Sequence, residues 1–95
     1  MPMNRNGLTE LDVQIALEIH SDIDSSDVVS VKRIAERLQI RRATLSSRVN
    51  GHAPFSPGLL AAVATELGTT ASEVVRRAER ALVLKGHSSS VEKAA

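Results

Sequence analysis

Aliphatic residues recur at intervals of three and four along the chain, and short polar stretches separate the runs. The first stripe consists of Leu8, Leu11, Ile15 and Ile19. This spacing follows the 3.6-residue period of an α-helix, and Thr9 suits the N-cap because its hydroxyl can accept from a free backbone N–H. The pattern predicts a first helix from about Thr9 to about Ser21, where the Ser- and Asp-rich "SDIDSSD" favours turns.

Two shorter helices are predicted next. Ser30 is a suitable N-cap for a second helix over Val31–Leu38, in which Ile34 and Ala35 would face inward. After the brief connection "QIR", a third helix is predicted from about Arg42 to Val49, ended by Asn-Gly.

The second half of the chain predicts two more helices. Ser56 precedes Pro57, and proline suits the first position of a helix because its missing N–H has no partner there. A fifth helix begins after Thr70, which stands three residues before Glu73 in the spacing of a capping box, and runs to about Leu84. No segment shows the period-two alternation of a half-buried strand. The predicted fold class is all-α, a compact bundle of five helices.

Composition agrees with one small aliphatic core. The chain has 95 residues, one Phe and no Cys, Trp or Tyr, so neither a disulfide nor a thiolate metal site can support the fold. We expect a folded domain over residues 8–85, with disordered segments at 1–7 and 86–95. No apolar run approaches the roughly 20 residues needed to span a bilayer, and the N-terminus lacks a signal-peptide pattern. A cytoplasmic protein without membrane partner or cofactor is predicted.

Charge is distributed unevenly although the net charge is only +1. Residues 8–27 contain six acids and no Lys or Arg, which gives this segment a charge of −6. Residues 32–48 contain six basic residues against the single acid Glu36, which gives +5. Such asymmetry favours an anionic partner for the basic segment. The alternative is that the two segments neutralise each other inside the domain.

The third helix combines two inward aliphatic positions with small, polar and cationic side chains. Leu45 and Val49 lie four residues apart and would face the core. The other side chains around them are small, polar or cationic: Arg41, Arg42, Ala43, Thr44, Ser46, Ser47 and Arg48. Guanidinium groups can read guanine edges, and short side chains allow close approach, so this helix is predicted to enter the DNA major groove.

The stretch "VKRIAERLQIRRATLSSRVNG" resembles the helix-turn-helix of the lambda-repressor-like, Cro-like regulators, also called the xenobiotic-response-element family. Ile34-Ala35 stands where that motif carries Leu-Ala, and Ile40 matches the apolar residue after the turn. "TLS" matches its recognition helix, and Asn50-Gly51 matches the end of that helix. The downstream "LLAAVATELGTTASEVV" is similar to the family's last two helices.

The resemblance covers roughly residues 29–78 and has two departures. Gln39 occupies the turn position where the family usually has Gly in a left-handed conformation, a change that costs about 1 kcal/mol. Arg48 stands where many members bury an aliphatic residue, and Val49 stands where many carry Glu. We expect the inward face of the third helix to shift to Val49.

The resemblance implies that helices two and three form a helix-turn-helix in a sequence-specific double-stranded DNA-binding transcriptional regulator, a phage immunity-repressor or Cro-like repressor. The implied base-contacting residues are Arg42, Ala43, Ser47 and Arg48. The implied phosphate-contacting residues are Arg41, Thr44, Ser46, Asn50, Lys32 and Arg33. A homodimer on an inverted-repeat operator is expected, with helix five and the C-terminal segment as its interface.

The sequence also bears on two other function classes. Catalysis is disfavoured because His20, His52 and His87 share no metal-ligand spacing and no phosphate-binding loop is present. The alternative function is that of an antitoxin-type DNA-binding protein that also holds a partner protein, since antitoxins share this fold family. Val83 and Leu84 extend apolar surface beyond the stripe of helix five and suit such a partner, unless they cover the ends of other helices.

Overall fold

The computed structural model describes residues 8–85, which form five α-helices joined by short loops. The helices are α1 (Glu10–Asp24), α2 (Val31–Leu38), α3 (Arg42–Val49), α4 (Pro57–Glu66) and α5 (Ala71–Leu84). The expected all-α class is confirmed, and α2 and α3 are joined by a three-residue turn as predicted. The disorder expected at residues 1–7 and 86–95 concerns segments outside the described residues.

Four helices begin at a hydroxyl-bearing N-cap, as their sequences predict. Ser30, Ser56 and Thr70 each accept a hydrogen bond from the backbone N–H three residues later, at 3.1, 3.2 and 3.1 Å. Thr9 and Asp12 form a complete capping box, in which each side chain accepts from the other residue's N–H. These caps satisfy backbone donors that have no partner within the helix.

Two details differ from expectation. α1 runs three residues longer than predicted, to Asp24, because Ile23 follows Ile19 by four residues and extends the buried stripe by one turn. At α5 the carboxylate of Glu73 pairs with Arg76 at 2.9 Å, so only the Thr-hydroxyl half of the expected capping box is present.

The core is aliphatic and draws on every helix. Its largest fully buried side chains are Leu8, Ile19, Ile34, Leu45, Val63 and Val74. α1 packs chiefly against α5 and also contacts α3, while α2 packs on α3 and α4. With one Phe in the chain, close packing of branched aliphatic side chains has to supply most of the stabilisation.

A polar network joins α1 to α5 beside this core. Arg77 donates two hydrogen bonds to Asp22, from Nη1 at 3.1 Å and from Nη2 at 2.6 Å, and its Nε lies 3.9 Å from the Glu18 carboxylate. The hydrogen bond to Asp22 raises the pKa of the Arg77 guanidinium above its ordinary value. Gln14, which is buried, donates to Glu18 at 3.1 Å and accepts from Lys85 Nζ at 2.7 Å.

The ends of α2, α3 and α4 share one geometry, a left-handed residue with a backbone hydrogen bond that spans six residues. These bonds run from the N–H of Ile40 to Ala35 O (3.0 Å), of His52 to Ser47 O (2.9 Å) and of Thr69 to Ala64 O (2.9 Å). The left-handed residues are Gln39 (φ 57°), Gly51 (φ 78°) and Gly68 (φ 79°). The turn between α2 and α3 therefore takes the left-handed conformation that the resemblance predicts, although Gln39 has a Cβ and glycine does not.

Val83 and Leu84 lie exposed near the C-terminal end of α5. Val83 and Leu84 are 45% and 79% exposed, so they do not cover the ends of other helices within residues 8–85. No helix in this part of the chain is both long and apolar enough to cross a membrane.

We expect Gln39→Gly to raise the free energy of unfolding by about 1 kcal/mol, because glycine reaches the left-handed region without the Cβ clash. The Gln39 side chain is exposed and makes no hydrogen bond to any described residue, so its loss removes no hydrogen bond. Thermal unfolding measures the change, which corresponds to about 4–8 °C for a domain of this size.

Gly68→Ala is the matched control. A Cβ at Gly68 would meet nothing within 4 Å, so the substitution adds only conformational strain and should lower stability by about 1 kcal/mol. An unchanged or lower unfolding temperature in Gln39→Gly would contradict the assignment of strain to this turn.

Candidate nucleic-acid interface

Packing of α3 on the core decides which of its side chains face outward. Leu45 and Val49 are buried, and Ile34 of α2 is buried in the same cluster. At 100° per residue, Ala43 and Ser47 lie on the side of α3 opposite these two buried side chains. The expected inward shift to Val49 is confirmed, since its side chain is 3% exposed.

The structure leaves the predicted DNA-contacting residues accessible. Those that are exposed are Arg41, Arg42, Ala43, Asn50, Lys32 and Arg33. Those that are partly buried are Thr44, Ser46, Ser47 and Arg48. Asn50 donates a hydrogen bond from Nδ2 to Ser46 Oγ at 3.1 Å, which links the last turn of α3 to the loop after it.

The ion pairs of the described residues take the acidic segment to partners outside the basic segment. Within the described residues, none of the ion pairs joins residues 8–27 to residues 32–48. Glu18 and Asp22 pair with Arg77 of α5, and Asp24 pairs with His20 at 3.1 Å. The alternative that the two segments pair inside the domain is therefore wrong.

One arginine of the basic segment has an internal partner. Arg37 donates from Nε to Glu66 Oε1 and so joins α2 to α4. The remaining cations of the segment form no ion pair or hydrogen bond through their side chains within residues 8–85: Lys32, Arg33, Arg41, Arg42 and Arg48. The Arg37–Glu66 pair was not predicted, because the two residues stand 29 positions apart with no spacing signal between them.

Four of these unpaired cations lie where a helix disfavours them. Lys32 and Arg33 are in the first turn of α2, and Arg41 and Arg42 are the N-cap and first residue of α3. A helix N-terminus carries partial positive charge, so a cation there is unfavourable by about 0.3–1 kcal/mol. The first turns of α2 and α3 contain no acid, whereas α1 and α5 have acids there.

The N-terminus of α3 also lacks a side-chain cap. Arg41 occupies the N-cap position without a side-chain hydrogen bond to the following N–H groups. Unsatisfied N–H groups and unpaired guanidinium groups therefore share one end of the helix, and both interact favourably with an anion. No group of three or more His, Asp or Glu residues in the described part of the chain is arranged to hold a metal ion.

Comparison with solved structures finds the same architecture. The crystal structure of the clp gene regulator ClgR from Corynebacterium glutamicum matches with a TM-score of 0.71 over 88% of this chain and 88% of that one. The two sequences are 21% identical over the match. No protein-family model and no curated protein matches the chain. At this identity the likeness establishes the fold, and function has to be argued from the site.

Proposed function

We propose that this protein is a sequence-specific double-stranded DNA-binding transcriptional regulator that acts as a repressor. The observation that carries the proposal is the set of four unpaired cations at the N-termini of α2 and α3. Their position destabilises both helices slightly in the free protein. An anionic partner would reverse that cost, and the DNA backbone supplies closely spaced negative charges.

In the proposed complex, α3 lies in the major groove. Ala43 and Ser47 face away from the core, and neither is bulky enough to hold the helix out of the groove. Arg42 at the N-terminal end is assigned to a bidentate contact with guanine O6 and N7. Arg48 is partly buried on the flank of α3 and is assigned to an adjacent base or phosphate.

The remaining contacts fix the position of the domain on the duplex. Lys32 and Arg33 approach the phosphates from α2, and Arg41 does so from the start of α3. The three hydroxyl or amide side chains on or just after α3, which are Thr44, Ser46 and Asn50, are assigned to the same backbone. Phosphate contacts carry no sequence information, so sequence preference has to come from the α3 side chains that reach bases.

The proposal also includes a cytoplasmic role without catalysis, a dimer on DNA and repression. The fold neighbour is described as a gene regulator, which fits a cytoplasmic DNA-binding role without catalysis. A single small domain offers few base contacts, so tight operator binding calls for two protomers on an inverted repeat. Such a dimer represses when its operator overlaps a promoter.

Selection of bound duplexes from a random DNA pool tests the proposed function. The expected result is enrichment of an inverted repeat with half-sites about one DNA turn apart and a guanine in each half-site. Absence of any enriched sequence would contradict sequence-specific regulation and would favour the alternative in which the chain holds a partner protein.

We expect Arg42→Ala to remove about 1–3 kcal/mol from the difference in binding free energy between the selected site and random DNA, and with it the preference for that site. Binding to random duplex should stay salt-dependent and nearly as strong as in the native protein, because the phosphate contacts persist. Competition titrations at several salt concentrations measure both quantities. Equal loss on specific and random DNA would mean that Arg42 touches only phosphate.

We expect Lys32→Ala to weaken binding to specific and random DNA alike and to reduce the salt slope by about one. The same substitution should leave the unfolding temperature unchanged or slightly raised, because it removes a cation from the positive end of α2. A selective loss on the operator, or a clear drop in stability, would show that Lys32 has another role.

A further inference from the structure

One flank of α3 brings a hydroxyl between two arginines. Arg41 precedes Thr44 by three residues and Arg48 follows it by four, the spacings that make side chains neighbours on a helix surface. Arg41 is the N-cap of α3, and Thr44 lies in its first turn. We call these three residues the Arg–Thr–Arg flank.

None of the three side chains has a partner among the described residues. The two guanidinium groups form no ion pair there, and the Thr44 hydroxyl forms no hydrogen bond. By contrast, the hydroxyls of Thr9 and Thr70 cap helices through hydrogen bonds of 3.1 Å. The flank therefore presents an unengaged hydroxyl beside two unengaged cations.

The Thr44 hydroxyl needs an external base before it can act as a nucleophile. α3 contains no Asp, Glu or His that could take its proton. Any covalent chemistry at Thr44 therefore requires a second enzyme that supplies the base and recognises the surrounding residues.

The residues before Thr44 supply a basis for that recognition. Thr44 is the one Ser or Thr in the sequence with arginine at both the second and the third position before it. The other hydroxyls of α3, Ser46 and Ser47, have no arginine at either position. Acidic pockets that bind two guanidinium groups upstream of the acceptor hydroxyl are the specificity device of arginine-directed Ser/Thr protein kinases.

Access to the hydroxyl costs little. Thr44 is only partly buried, and α3 has eight residues and no side-chain N-cap, so its first turn has little stability of its own. Arg41 already has extended backbone, at φ −69° and ψ 137°. Fraying of the first turn presents Thr44 together with the two arginines before it.

We propose that Thr44 is the phosphorylation site of an arginine-directed Ser/Thr protein kinase, and that Arg41 and Arg48 bind the phosphate. Thr44 Oγ1 forms a bond to the γ-phosphorus of a nucleoside triphosphate on the kinase, and the bond from that phosphorus to the bridging oxygen breaks. The hydroxyl proton passes to a carboxylate of the kinase, and the nucleoside diphosphate leaves. The phosphothreonine carries a charge of about −1.5 to −2 at pH 7.

The phosphate stabilises the folded chain. It lies in the first turn of α3, where the positive end of the helix dipole and the uncapped N–H groups favour an anion. It also lies between Arg41 and Arg48, whose guanidinium groups pair with phosphate oxygens. Phosphorylation thus replaces the repulsion between cations at this end of α3 with attraction.

The same phosphate opposes DNA binding, a consequence that rests on the proposed function. It occupies two arginines that the proposed complex uses, and it places negative charge against the DNA backbone. The stabilisation of α3 requires no DNA, so it is measured separately. Failure of this inference and failure of the DNA-binding proposal are therefore distinguishable.

Phosphorylation of the full chain in vitro tests the acceptor. The probe is the catalytic subunit of cyclic-AMP-dependent protein kinase with Mg²⁺ and ATP, and tandem mass spectrometry locates the phosphate. We expect incorporation on Thr44 that is lost in Thr44→Val. Arg41→Gln should slow it at least about tenfold, because one recognised guanidinium is removed. The control Arg80→Gln, at an exposed and unpaired arginine of α5, should not. No incorporation, or phosphate on another hydroxyl, would overturn the proposal.

Thermal unfolding of the phosphorylated and unphosphorylated chains tests the pairing. The midpoint should rise by roughly 4–8 °C on phosphorylation. In Arg48→Gln the rise should fall by about half, because one of two guanidinium partners is lost. In Arg80→Gln it should be complete. A lower midpoint, or an equal rise in Arg48→Gln, would show that the flank does not bind the phosphate.

Titration of DNA tests the regulatory consequence. Phosphorylation should weaken binding to the selected site and to random duplex at least about 100-fold and reduce the salt slope by about two. Equal binding by both forms would refute this consequence. An unphosphorylated chain that binds no DNA would refute the proposed function, while the unfolding midpoints would still decide the assignment of Thr44.

Discussion

Burial of Leu45 and Val49 is the constraint on which the candidate site depends. These two side chains anchor α3 to the core beside Ile34, and their four-residue spacing determines the rotation of the helix about its axis. Ala43 and Ser47 point away from the core for that reason alone. With Val49 as the inward residue in place of position 48, Arg48 is left on the flank with its guanidinium unpaired among the described residues. The shift of the inward position from residue 48 to Val49 thus places the cation Arg48 on the accessible surface of α3.

Most of the favourable ion pairs and hydrogen bonds between helices lie away from the candidate interface. α2 and α3 are short, and they carry unpaired cations in first turns that lack acids. Helices of this length have little stability of their own and rely on tertiary packing. α1 and α5 are longer, have acids in their first turns, and are joined by the Arg77–Asp22 pair and by Lys85 through Gln14. The electrostatically favourable contacts are therefore concentrated away from the site, which leaves its basic side chains available to a ligand.

The sequence predicted the helices well because each one carries a local signal. Hydroxyl-bearing N-caps indicate four of the helix starts, and aliphatic spacing alone predicts that Leu45 and Val49 face inward. The end of α1 was missed because Ser and Asp favour turns locally, while burial of Ile23 overrides that preference. The partners of charged residues were not predictable. Asp22 meets Arg77 across 55 positions, a relation that depends on how the helices pack and leaves no spacing pattern in the chain.

The side of the domain formed by the N-terminal ends of α2 and α3 carries charge of one sign. The first turn of α2 and the N-cap and first residue of α3 carry four cations and no acid, so two copies brought together there would repel each other. This side of the domain therefore disfavours a second copy of the chain and favours an anionic surface.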